Sequence, residues 1–133
     1  MKFHYIILTI FLAPILQAAD SRPNVLFIAV DDLRPELGCY GVDYMRTPNM
    51  DRLAATGTIF DRAFCNVALW CASRASLMSG IRPTPDRFVT YMARQDQQAP
   101  DVPSLAEYFK ENGFYTVSNG KIYHFKDDTP ESW

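Results

Sequence analysis

Reactive side chains fall in three places along the chain. Asp31 and Asp32 are adjacent carboxylates that directly follow an apolar run. Side-by-side acids repel unless something positive sits between them, and a hard divalent ion such as calcium, which takes oxygen ligands, would resolve that repulsion. The second place is Cys71-Ala72-Ser73-Arg74, a thiol just before the expected start of a helix with an arginine in its first turn. Free N–H groups at a helix start and the planar guanidinium fork both suit a tetrahedral oxyanion such as a sulfate or phosphate ester. The third is Gly120-Lys121-Ile122-Tyr123-His124. Here a compact ammonium can meet a non-bridging oxygen, and an imidazole can trade a proton with a leaving group near neutral pH. Each place has a plainer reading when taken alone. The acid pair also fits a solvated turn, Cys71 a small core residue beside a surface arginine, and Lys121 and His124 an ordinary surface loop.

The elements around these residues belong to an α/β protein. Residues 24–30 form a continuous apolar, β-branched run bounded by Arg22-Pro23 and Asp31-Asp32, which predicts a central strand buried on both faces. In open α/β sheets, ligands gather outside the carboxyl ends of strands, where the acid pair stands. Thr47 as N-cap, Pro48 at the first helical position and Gly57 at the end mark a short helix. Ser73 is placed to cap a second helix that ends at Ser79-Gly80. Ser104 and Glu107 form a capping box for a third helix, with Leu105, Tyr108 and Phe109 on one face and Gly113 closing it. Residues 114–117 read as the next strand, leading into Lys121 and His124. The polar, proline-punctuated stretch 82–101 predicts a long surface excursion.

Composition narrows the function class. The chain is 48% hydrophobic with a net charge of -2, an ordinary globular balance. Lys2, the apolar run over 5–13 and the small residues ending in Ala18-Ala19 have the build of a secretory signal peptide over residues 1–19. A membrane anchor is disfavoured, because the run is shorter than the roughly 20 residues that a bilayer span requires. No membrane span remains after cleavage, and a secreted, periplasmic or lumenal location follows. The remaining chain is acidic and offers no basic footprint for nucleic acid. Cys39, Cys65 and Cys71 are odd in number, which argues against a disulfide framework. A parallel sheet begun by two strands is expected to be finished elsewhere, so residues 20–133 read as the N-terminal portion of a larger domain. Expressed alone, that portion is expected to be inactive and poorly folded.

Taken in order, the elements resemble a sulfatase of the alkaline-phosphatase-like superfamily. The resemblance rests on residues 22–28, Asp31-Asp32, Thr47-Pro48-Asn49-Met50-Asp51-Arg52-Leu53-Ala54, Ser73-Arg74-Ala75-Ser76-Leu77-Met78-Ser79-Gly80 and Gly120-Lys121. Residues 30–41, 108–113, 120–124 and 127–133 are similar to the iduronate-2-sulfatase branch in particular. The resemblance implies a mainly parallel central sheet flanked by helices, of which this chain holds a truncated part. It implies calcium, held by Asp31 and Asp32. It also implies a formylglycine made from a cysteine by a formylglycine-generating enzyme, whose hydrated aldehyde attacks sulfur and then expels sulfate. Carried over by position, Cys71 would be the converted nucleophile and a further metal ligand. Arg74 would hold it, Lys121 would contact the sulfate, and His124 would help a proton leave. The implied substrate is a sulfated polysaccharide or glycosaminoglycan.

The nucleophile motif departs from the family pattern, Cys-x-Pro-Ser-Arg, in which the cysteine stands four positions before the arginine. Here that position holds Trp70, Cys71 is only three before Arg74, and Ala72 stands at the proline. Three readings stay open: Cys71 still serves in a shifted register, the protein binds sulfated glycan or metal without turnover, or the gene carries a local mutation or error. Cys65 lacks a proline or arginine at useful spacing, and Cys39 reads as packing. A phosphodiesterase or phosphonate hydrolase on the same fold is the second enzyme reading.

Overall fold

The computed structural model describes residues 22–133. The predicted signal peptide lies outside the described residues. Four α-helices carry the architecture: α1 (Pro48–Thr56), α2 (Trp70–Ser79), α3 (Gln95–Gln98) and α4 (Leu105–Glu111), with 3-10 turns at Gly38–Tyr40 and Pro130–Ser132. Among the described residues no helix is long and apolar enough to cross a membrane.

The predicted strands do not pair. Residues 24–30 and 114–117 carry no strand ladder, and the one β-bridge among the described residues joins Thr84 to Arg87. Leu26 is 83% exposed and Tyr115 is 94% exposed, so the run expected to be buried on both faces faces solvent. The physical reason is visible in the packing. A strand is stabilised by its ladder partners, whereas these two segments line a shared apolar cavity of about 230 Å³ with Met78, Phe109 and Trp133.

Helix α1 forms where its proline and caps predict. Thr47 is its N-cap by position, yet its hydroxyl donates to the Asp51 carboxylate (3.0 Å) and accepts from the Gly38 N–H (2.9 Å). Asp51 also accepts from the Cys39 N–H at 2.8 Å. The acid thus clasps the preceding turn onto the helix. A Cβ at Gly38 would lie 2.6 Å from an Asp51 oxygen, so glycine is the residue that lets this clasp close.

Helix α2 begins earlier than its serine predicts. Its N-cap is Leu69, whose carbonyl accepts from the Ser73 N–H at 2.8 Å, so Trp70 and Cys71 lie inside the first turn and Ser73 is no cap. Cys71, Ala72, Ala75, Ser76 and Met78 are buried, the stripe expected of a helix packed on one side. Ala72 and Ala75 meet Phe88, Ala93 and Ala99 in the main core cluster.

That contact corrects the predicted surface excursion. Residues 82–101 wrap back under α2 and supply three of its five core residues, including Phe88 at 0% exposure. Phe88 takes a left-handed backbone (φ 54°), which costs a non-glycine residue about 1–2 kcal/mol. Burying a phenylalanine returns about 1.5–3 kcal/mol, and the Phe88 N–H is satisfied by the Gln98 side chain at 2.8 Å. Burial therefore offsets the strain.

A second cluster joins Met78, Ala106 and Tyr123, with Ile122 and Trp133 against it. It is held by the capping box of α4. The Ser104 hydroxyl accepts from the Glu107 N–H (3.0 Å), and the Glu107 carboxylate accepts from the Ser104 N–H (3.1 Å). The same hydroxyl lies 2.6 Å from that of Ser132, and both residues are fully buried. Leu105 and Tyr108 are exposed, so the face predicted for this helix is only partly covered.

Ser104→Ala removes an N-cap worth about 1 kcal/mol and leaves the Ser132 hydroxyl buried without its partner, a further cost of about 1–3 kcal/mol. Denaturant unfolding should show a combined loss of about 2–4 kcal/mol for this variant, against a much smaller loss for Thr47→Ala.

Candidate active site

Helix α2 presents two residues to the ends of both apolar segments. Trp70 and Arg74 are four apart and leave the helix on the same side. The Arg74 guanidinium donates to the carbonyl oxygens of Lys121 (2.8 Å) and Ile122 (2.7 Å) and lies 3.6 Å from the Asp31 carboxylate. Lys121 Nζ sits 2.5 Å from Asp31 Oδ2. The pair and the neighbouring Arg74 charge hold the Asp31 carboxyl below its usual value, the Lys121 hydrogen bond being the larger cause.

Trp70 closes the group. Its indole N–H donates to Asp32 Oδ1 at 2.6 Å, and its ring lies under the Lys121 ammonium, 5.1 Å from the centroid. The His124 ring is parallel to the indole within 8°, at 6.4 Å between centroids, and meets Phe125 edge-on at 4.9 Å. Asp32 takes a left-handed backbone (φ 51°). Asp31, Asp32, Arg74, Lys121 and His124 are therefore brought together, around Trp70.

Cys71 does not join them. One residue along a helix turns by about 100°, and Cys71 is 3% exposed, with its thiol 2.5 Å from the Tyr91 carbonyl oxygen. Cys65 is exposed, and Cys39 is half-buried.

The two carboxylates suit a hard cation in kind, and Asp31 is paired with the Lys121 ammonium. They do not complete a shell. Among the described residues no three His, Cys, Asp or Glu side chains cluster as a metal site, whereas calcium takes about six to eight oxygens.

The segment bearing Lys121 and His124 is fixed from behind by a network that sequence reasoning missed. The Tyr123 hydroxyl donates to the Gln95 side-chain oxygen at 2.7 Å, and the Asp128 carboxylate accepts from the N–H groups of Gln95 and Asp96, both at 3.1 Å. Arg94 reaches the carboxylates of Asp96 (2.6 Å) and Asp127 (3.0 Å) and lies over the Phe125 ring. Burial raises the Asp128 carboxyl and pushes the Tyr123 phenol up to about 12. No spacing signal pointed to Gln95, because Tyr123 and Asp128, which it joins, are 28 and 33 residues away.

A family model described as Sulfatase matches residues 23–132, nearly all of the described chain. The chain belongs to the sulfatase family. Iduronate 2-sulfatase of Homo sapiens is 42% identical over 116 residues, covering 83% of this chain and 21% of the human protein. The Mus musculus iduronate 2-sulfatase is 40% identical over 122 residues (87% and 22%). A sulfatase of Formosa agariphila is 41% identical over 118 residues (81% and 23%). This sulfatase chain thus spans about a fifth of the length of these relatives. No solved structure is a significant match to it. Membership implies the α/β fold of the alkaline-phosphatase-like superfamily.

Two outcomes follow from the geometry. In the native protein, a soluble thiol reagent should label Cys65 first and Cys71 last, as read by peptide mass spectrometry over time. A folded-state phenol value of about 12 for Tyr123, above the ordinary 10, is stabilising below pH 10 and loses that contribution as pH rises from 10 towards 12. Tyr123→Phe should flatten that alkaline loss in unfolding midpoints measured between pH 9 and 12.

Proposed function

We propose that the whole protein is a sulfuric ester hydrolase of the iduronate-2-sulfatase type, removing sulfate from sulfated sugars, with 2-O-sulfated uronic acid residues as the substrate. The observation that carries this reading is the convergence of Asp31, Asp32, Arg74, Lys121 and His124 on residue 70, four positions before the arginine. The relatives named iduronate 2-sulfatase support the substrate class, and the Formosa agariphila ulvan-active sulfatase, 31% identical, supports a polysaccharide.

In this reading Asp31 and Asp32 would be two of the carboxylates holding a calcium ion, whose charge would polarise the sulfate oxygens. Arg74 keeps its guanidinium at the ester because two backbone carbonyls anchor it. Lys121 takes a non-bridging oxygen, and His124, aligned by Trp70 and Phe125, moves a proton to the departing alcohol. The nucleophile is a formylglycine made by a formylglycine-generating enzyme. Hydrolysis through Cys71 further requires the first turn of α2 to unwind, since the thiol faces Tyr91. An N-terminal signal peptide over 1–19 exports the protein to a secreted, periplasmic or lumenal site, and residues 20–133 serve as the first part of its catalytic domain.

A second reading is favoured by Trp70, which fills the place four before Arg74: the site binds sulfated glycan without turnover. The phosphodiesterase or phosphonate hydrolase reading shares the tetrahedral site and differs in the charge of its ester.

The whole protein, coexpressed with the generating enzyme, distinguishes these. Sulfate release from a 2-O-sulfated uronate disaccharide, with a Cys71 peptide whose mass reports the aldehyde, is the expected result. Retention on heparin with an unconverted Cys71 and no sulfate release would replace it with the binding reading. Cleavage of an aryl phosphodiester in place of the sulfate would point to the phosphoryl chemistry.

A further inference from the structure

His124 is oriented by rings. Its imidazole lies parallel to the Trp70 indole within 8° and meets the Phe125 ring edge-to-face, with 4.9 Å between centroids. An imidazole turns about a broad, roughly two-fold torsion, and a proton-transfer histidine is commonly held in register by a hydrogen bond at its second nitrogen. Among the described residues neither His124 nitrogen takes such a bond, and the contacts that set the imidazole plane are aromatic. Trp70 is itself fixed by its bond to Asp32. Phe125 is fixed by Arg94, whose guanidinium lies over the phenyl ring, 5.3 Å from the centroid. The Arg94 side chain is 13% exposed and commits its donors elsewhere than the site. Nε and one terminal nitrogen donate to the two oxygens of Asp96 (2.9 and 2.6 Å), and Asp127 accepts on its carboxylate and on its carbonyl, both at 3.0 Å. Arg94 thus ties the start of α3 to the backbone just beyond Phe125, and two carboxylates neutralise its charge.

We propose that Arg94 is a positioning residue for His124 and acts through Phe125: the guanidinium holds the phenyl ring, and the phenyl ring holds the plane of the imidazole. The inference rests on the hydrolase reading above for what His124 does, and on the ring contacts for how it is aimed. Arg94 touches neither the ester nor the groups around it. Without its guanidinium, Phe125 loses the contact that fixes its ring, and the imidazole samples planes from which its N–H does not point at the departing oxygen. Proton transfer depends on that direction, so turnover falls. Binding of the ester draws on Arg74 and Lys121, which Arg94 does not contact, so the Michaelis constant stays where it was. A relay of this kind also makes the two residues non-additive, because Arg94 has nothing to hold once the phenyl ring is gone.

The test is a double-mutant cycle in the whole protein, coexpressed with the generating enzyme and assayed on the 2-O-sulfated uronate disaccharide. Arg94→Gln should lower kcat about ten- to a hundredfold with KM unchanged. Phe125→Leu should do the same, and adding Arg94→Gln to Phe125→Leu should cost little more. Phe125→Tyr, which keeps the ring, should stay near the natural kcat. A readout independent of turnover is the nuclear magnetic resonance of the imidazole C–H groups in histidine-labelled protein, with the His124 signals assigned by their loss in His124→Gln. The neighbouring rings should displace those signals from the position of free histidine, and both Arg94→Gln and Phe125→Leu should move them back towards it. Unmoved His124 signals in a folded Arg94→Gln, an unchanged kcat, or an equal loss of kcat with Phe125 present or replaced overturns the inference alone. No sulfate release by the natural protein overturns the hydrolase reading, and the imidazole signals then decide by themselves whether Arg94 aims His124.

Discussion

The Arg74 guanidinium is the pin on which the rest of the arrangement depends. Helix α2 meets the segment carrying Lys121 through Met78 against Tyr123 and Ile122, and Arg74, 47 residues from Lys121, adds hydrogen bonds to two successive carbonyls. Arginine suits the role because its fork satisfies two acceptors and still leaves a nitrogen facing a carboxylate. A lysine there would be a point charge on a flexible stem.

Behind the pin lies a second layer of support that is polar and buried. Tyr123, Gln95 and Asp128 are each below a tenth exposed, and their hydrogen bonds run from the reactive loop through α3 to the last residues. Such a network is costly when half-made and rigid when complete. The ordering of His124 thus draws on residues that never approach the site.

What could be read from the residues alone was local chemistry. The proline and glycine of α1 and the capping box of α4 lie within a few positions of the turns they control, and they form as predicted. Of the reactive residues, Asp31, Asp32, Arg74, Lys121 and His124 lie around Trp70. Register was harder. Ser73 looks like a cap, but burial of Cys71, Ala72 and Ala75 against Phe88 rewards starting the helix at Trp70, and tertiary packing overrides the serine. The stretch 82–101 misled for the same reason, since its polar surface hid one phenylalanine with a core to enter. The apolar runs are unpaired among the described residues, because their burial depends on neighbours that local pattern cannot supply.

Those runs bear on how the molecule behaves in a crowd. Residues 24–30 present Val25, Leu26, Ile28 and Val30 to solvent without ladder partners among the described residues, beside a similarly open stretch at 114–117. Unpaired backbone on β-branched, uncharged sequence is a template for another chain's strand. Whatever covers these segments therefore also acts as the molecule's guard against self-association: where it is missing, concentration alone would drive chains to pair through the very stretches that lead into the acid pair and the reactive loop.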